Sequence, residues 1–198
     1  TMRPVITGKI KISSSTIDQA LTRLKDAIRQ MRFLNKLEQL AIISIGIILD
    51  EAGIGVPVGS ADVGLFVGID DAIEDIKDEY FNGILNDGIL GASPLLFPFT
   101  TPNSLAAQVS IAFDIRGESV TIPVKHSYRN VIEYASECIT ERHTKMAIAG
   151  GILLKDKRLS IEEGRYTAEF FALEDAGSAA ERGATAHKHA WEEAYETL

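Results

Sequence analysis

The residues best suited to chemistry lie where a short β-branched run, residues 119–124 (SVTIPV), ends and a helix is expected to begin after Ser127. A strand that stops abruptly and feeds a helix points its last residues at free N–H groups and at the positive end of the helix dipole. Nucleophiles and oxyanion donors are often kept at such corners. This corner reads Pro123-Val124-Lys125-His126-Ser127-Tyr128. Histidine can carry an acyl group, and serine can attack a carbonyl if a base is beside it. His126 and Ser127 are therefore the candidate reactive residues.

Three other groupings are weaker. Asp75, Asp78 and Glu79 share a helical stretch, but no histidine is near in sequence, and a solvated face is the simpler reading. His189 and Glu193 share a helix face as zinc ligands would, with no third ligand in sight, and His187 points elsewhere. Cys138 is the single cysteine. It excludes an internal disulfide and is expected to be an inert core thiol. No metal site and no cofactor are expected.

Composition narrows the class. With 198 residues, 45% hydrophobic and 24% charged, the chain can bury a real core as one domain over residues 1–198. A net charge of -8 with no basic run argues against nucleic acid. The longest apolar run, residues 40–49, is far below the roughly 20 residues that cross a bilayer. No signal peptide is evident, so a cytoplasmic protein is the expectation.

The elements that must position the corner follow from periodicity. Residues 3–8 read as a first strand and residues 62–68 as a nearly continuous apolar strand, central in a parallel sheet. Residues 145–154 and 166–174 make two more strands. Ile17, Leu21, Leu24, Ile28 and Met31 recur at helical spacing. Asn35 or Lys36 opens a helix apolar on most sides, which Gly53 ends. Residues 72–86 form an acidic helix with an apolar stripe at Ile73, Ile76, Tyr80 and Ile84. Further helices are expected over 105–113, 127–141, 176–183 and from His187 to the end. The expected fold is α/β, a five-stranded mixed sheet with strand five antiparallel and helices on both faces.

The stretch from Ser93 to Gly151 also resembles the N-terminal half of a β-ketoacyl synthase, a condensing enzyme of the thiolase fold. The family writes S-P-x-x-x-P-x-T-x-x-N, an apolar helix, G-[LI]-R-G-P, a strand into T-A-C, and later A-G-G. Ser93, Pro94, Pro98, Thr100, Asn103, Arg116, Gly117 and Ala149-Gly150-Gly151 fall in register, and no gap is needed from Ser93 to the nucleophile position. Residues 166–174 are similar to the family's G-E-G-A-A-x-x-x-L-E, with Ala168 in place of a glycine. The resemblance implies half of a thiolase-like fold. It places His126 where the family has its nucleophilic cysteine, and nothing after Gly151 resembles the second half that supplies two histidines.

Three readings of the corner stay open: a vestigial site kept for binding, acyl transfer by Ser127 or His126, or plain structure. In full-length relatives the helix after the nucleophile is small and apolar, clamped between the halves. Here Arg129, Glu133, Glu137 and Glu141 make a charged stripe, whose unpaired burial would cost several kcal/mol per ion. The stripe is expected to face water or a partner, as in a chain whose second half is absent. The resemblance further implies that Ser119, Val120, Thr121 and Ile122 form an edge that pairs across a two-fold axis. That gives a homodimer, or a heterodimer with a full-length ketosynthase, with acyl-carrier protein as a possible further partner. The expected function is a truncated, non-condensing, ketosynthase-like binding subunit of fatty-acid or polyketide-type assembly, comparable to chain-length factors. The alternatives are an acyl-transferring enzyme acting on acyl-carrier or acyl-CoA thioesters, and a purely structural dimer.

Overall fold

Five apolar runs pair into one mixed sheet in the computed structural model, which describes residues 4–19, 34–125, 127–187 and 191. The strands are β1 (Val5–Ser13), β2 (Val63–Ile69), β3 (Ser119–Pro123), β4 (Met146–Leu154) and β5 (Tyr166–Glu174), in the order β1-β5-β4-β2-β3. β2 runs parallel to β3 and β4, and β5 runs antiparallel to β4 and β1. This is the expected mixed sheet with strand five antiparallel. Every residue of β2 is buried, as a parallel strand covered on both faces requires.

β1 is longer than the six residues expected. Lys9, Ile10, Lys11 and Ile12 continue it by strict alternation, opposite Phe171, Phe170, Glu169 and Ala168. Lys9 and Lys11 reach the buried Glu169 carboxylate at 3.8 and 3.2 Å. Residues 17–19 begin the helix expected at Ile17. Its remaining stripe residues lie outside the described residues, as does most of the segment after His187.

One face of the sheet carries α1 (Lys36–Glu51) and α3 (Ser104–Phe113); the other carries α4 (Arg129–Thr140). α1 is buried on most sides, Ile42, Ile43 and Gly46 included. Its start is a capping box: Asn35 Oδ1 accepts from Glu38 N at 2.9 Å, and Glu38 Oε2 accepts from Asn35 N at 3.2 Å. Gly53 follows at φ +67. At the same end, a buried carboxylate joins several elements. Glu174 accepts from the Thr7 hydroxyl and pairs with Arg182 of α5 (Ala176–Arg182), and Arg182 also donates to the Ala52 carbonyl.

Glu38 is buried, and its second oxygen has no hydrogen-bond partner among the described residues. Desolvation, only partly offset by the Asn35 N–H, pushes its carboxyl up to about 7. The folded chain then holds a proton there that the unfolded chain, near 4.5, releases. Stability should therefore fall as pH rises from 4.5 to about 7. Urea titrations across that window should show the slope, and Glu38→Gln should flatten it.

The helix expected over residues 72–86 differs in detail. A 3₁₀ turn, Asp71–Ile73, precedes α2 (Glu74–Asp87). Ile73 is buried in that turn and Ile76 packs on the core, but no residue of α2 is fully buried. The periodicity identified an apolar face, not what covers it. Phe81 and Leu85, with Ile89, Leu90, Leu95 and Phe97 beyond, are exposed, Leu90 by 93%. No helix of the described residues is long and apolar enough to cross a membrane.

Candidate functional site at the carboxyl ends of the parallel strands

β2, β3 and β4 run parallel, so their carboxyl ends gather at one rim, where open α/β sheets take ligands. Asp70 follows β2, and its carboxylate accepts from Ala72 N at 3.0 Å and from Leu154 N at 2.9 Å. It ties the end of β2 to the end of β4. Burial holds its pKa above the usual carboxylate range, against the pull of these N–H groups. Val124 extends the β2–β3 ladder past Pro123, donating its N–H to Ile69 O at 3.0 Å.

The chain then turns into α4. Tyr128 is buried, and its hydroxyl donates to Thr167 O at 3.2 Å, which pins the turn over β5. Burial, with the Glu169 and Asp70 charges, pushes its phenol well above the ordinary value. Gly68 lets the helix sit low: a Cβ there would lie 3.0 Å from Val124 Cγ1 and from Val131 Cγ2. Gly117, before β3, is required by the close carbonyls of Val63 and Ala61. That is the physical reason for glycine after Arg116.

A cavity of about 730 Å³ opens at this rim. Ile69, Asp70, Pro123, Lys125, Ser127 and Arg129 are among its lining residues. Ser127 is half-buried, and its Oγ accepts from Arg129 N at 3.2 Å. Among the described residues, no side-chain base is hydrogen-bonded to that hydroxyl. His126 lies outside the described residues. Ser127 thus lies in the cavity wall, two residues before α4 begins. The cavity adds Asp70, whose only sequence signal was an acidic residue directly after a buried strand.

The remaining candidates sit nearby. Ser119, Val120, Thr121 and Ile122 lie on β3, an edge of the sheet. Arg129 Nε pairs with Glu133 Oε1 at 2.9 Å, with the two side chains 57% and 45% exposed, and Glu137 is exposed. The opposite face of α4, with Val131, Ala135, Cys138 and Ile139, is buried on the sheet. Cys138 is shielded, and desolvation followed by the Glu118 charge raises its thiol to about 11. Asp75, a member of the acidic grouping, bonds to the Arg165 guanidinium and the Tyr166 hydroxyl, each at 2.8 Å.

A mixed sheet whose edge strand ends at a tight corner and feeds a sheet-packed helix is the architecture of the ketosynthase class of thiolase-like folds. The sequence matches the family described as β-ketoacyl synthase, N-terminal domain, over residues 3–168, and the chain belongs to that family. Among solved structures it is similar to the ishigamide ketosynthase/chain length factor (TM-score 0.76, 16% identity, covering 94% of this chain and 62% of that one). It is also similar to a chain of a complex between a type II polyketide acyl-carrier protein and its ketosynthase, bound to the hexaketide (TM-score 0.70, 20% identity, 92% and 66%). A third is a β-ketoacyl synthase from Burkholderia phymatum (TM-score 0.69, 18% identity, 94% and 62%). At these identities the likeness is one of fold. This chain spans less than two thirds of the length of these structures. No curated protein matches it in sequence.

Proposed function

We propose that this chain is a non-condensing ketosynthase-like subunit that acts by binding within fatty-acyl or polyketide assembly, paired along β3 with a second ketosynthase-type chain. The observation that carries this reading is the place of the only thiol. Cys138 is buried near the far end of α4, roughly 14 Å along the helix from Arg129. The corner has no cysteine to carry an acyl chain into condensation. Two surfaces support a partner: the free edge of β3, and the exposed apolar side chains from Phe81 to Phe97. Patches of this kind on a folded surface mark interaction sites. The charged outer face of α4 adds a surface that water or a polar partner suits. The solved neighbours described as a ketosynthase with its acyl-carrier protein and as a ketosynthase/chain length factor favour carrier-borne acyl chains as the context.

The second reading, acyl transfer by Ser127 or His126, draws on the position of Ser127 in the cavity wall beside the start of α4. One experiment separates the two. The chain is incubated with acyl-carrier protein bearing an acyl group, or with acyl-CoA, and its intact mass is measured. The binding reading expects no covalent adduct. An adduct that disappears in Ser127→Ala or His126→Ala would replace it with the acyltransferase reading.

A further inference from the structure

At the opposite end of α4, away from the cavity, three ligand-type side chains converge from separate segments. Glu118 precedes β3, Cys138 lies in the last turns of α4, and His143 follows that helix. Their carboxylate oxygen, sulfur and imidazole nitrogen all lie within 4.8 Å of one another. From these residues we infer a transition-metal site, with zinc as the ion it suits.

The ligand chemistry selects the metal class. Thiolate, imidazole and carboxylate together suit zinc and its neighbours, not calcium or magnesium, which take oxygen ligands. Metal–ligand bonds of about 2.0–2.3 Å put tetrahedral ligand atoms roughly 3.5 Å apart, so closure needs movements of about 1 Å. His143 can make that movement: its side chain is 60% exposed and it leaves the turn at Arg142, which holds φ +64. Three protein ligands leave the fourth position to solvent, and the exposed imidazole marks that side.

Charge balance favours the site as well. Metal binding displaces the Cys138 proton to solvent and forms the metal–sulfur bond. One thiolate and one carboxylate then cancel the two charges of the ion, so a neutral centre sits beside the core. The surroundings are those of a supported site. Tyr134 donates its hydroxyl to Glu118 Oε1 at 3.3 Å, and the Glu141 carboxylate lies 3.8 Å from His143 Nε2. Glu141 can thus orient the ring while Nδ1 ligates, the carboxylate–histidine–metal arrangement. The bound ion clamps the start of the edge strand to the end of the helix behind it. The sequence signal was Cys138 and His143 with four residues between them; the third ligand became visible only when the fold brought Glu118 alongside.

The chain carries one cysteine, so a thiolate signal can come from nowhere else. The full chain is stripped with chelator and titrated with Co²⁺. A one-to-one complex with a thiolate-to-cobalt charge-transfer band in the near ultraviolet is expected, and Zn²⁺ should displace the Co²⁺. Cys138→Ser should abolish the band. His143→Ala and Glu118→Gln, neither of them core residues, should weaken binding by about tenfold or more while the circular dichroism stays that of the parent. Absence of the band at saturating Co²⁺, or binding that both of these variants leave unchanged, overturns the inference.

Discussion

Thr121→Pro is expected to leave the chain folded and to abolish its pairing. In a parallel ladder the N–H and C=O of one residue face the same neighbour, and successive residues alternate sides. Leu65 N donates to Glu118 O at 2.7 Å, and Val124 N donates to Ile69 O at 3.0 Å. The even-numbered residues from Glu118 to Val124 therefore serve β2, and Ser119, Thr121 and Pro123 face away from the sheet. Pro123 thus costs the inner ladder nothing, which is how an edge strand tolerates proline. The outward groups that can both donate and accept within β3 are those of Ser119 and Thr121. A twin strand centred on Val120 would set each Ser119 against the other copy's Thr121, using all of them. Proline at 121 removes its own outward donor from each copy and blocks close approach.

Sedimentation velocity should show a dimer for the parent and a monomer for Thr121→Pro. Val120→Pro, which removes a donor serving β2, should instead destabilise the fold. If the parent instead pairs with a full-length ketosynthase-type chain, the same variant should lose co-purification with it. A Thr121→Pro chain that still pairs in both settings would place the interface elsewhere and remove the edge from the proposed function.

Gly151→Ala should be among the most damaging single substitutions in the molecule. A Cβ at Gly151 would press on the Gly68 carbonyl oxygen, far inside van der Waals contact, between paired strands β2 and β4. The obstruction is backbone, so no rotamer change relieves it. A loss of about 3 kcal/mol or more is expected, the upper end of overpacking costs. Gly68→Ala is the instructive comparison. Its Cβ would press on the methyl groups of Val124 and Val131, both at 3.0 Å, while the nearest backbone atom, the Gly150 carbonyl oxygen, stays at 3.4 Å. Those side chains can shift by tenths of an ångström, so the loss should be smaller, with α4 lifted slightly from the sheet. Urea midpoints for the two variants test the ranking, and equal or inverted losses would refute the close-packing account of this pair.

The sheet was legible because its inner strands are written as uninterrupted apolar runs. Residues 63–68 carry no polar side chain to present to water on either face, and the structure buries all of β2. β1 was under-read because Lys9-Ile10-Lys11-Ile12 alternates, and the lysines there pair with Glu169 of a strand far away in sequence. The corner was legible from spaced motif residues, since Arg116-Gly117 and Gly150-Gly151 report backbone approaches that only glycine allows. The exposed Phe81 and Leu85 lie off the apolar stripe that periodicity picks out, so nothing in the spacing reports them as surface. Asp70 and the Glu118, Cys138 and His143 grouping escaped for a related reason. Their meaning lies in partners supplied by other segments: Leu154 for Asp70, and one another for the trio.

The knot of Thr7, Glu174, Arg182 and the Ala52 carbonyl gives the molecule a mechanical polarity. Two strands and two helices meet there on one shielded ion pair, so loosening any of them strands a charge away from water. At the cavity rim the ion pairs are more open: Lys77 with Glu74 and Arg129 with Glu133 each staple a single helix to itself, and Lys157 reaches Asp71 at 3.9 Å with both side chains more than half exposed. Breathing motions should therefore be spent at the rim, and under the proposed function an incoming acyl chain or subunit would meet the pliant end of a body braced from behind.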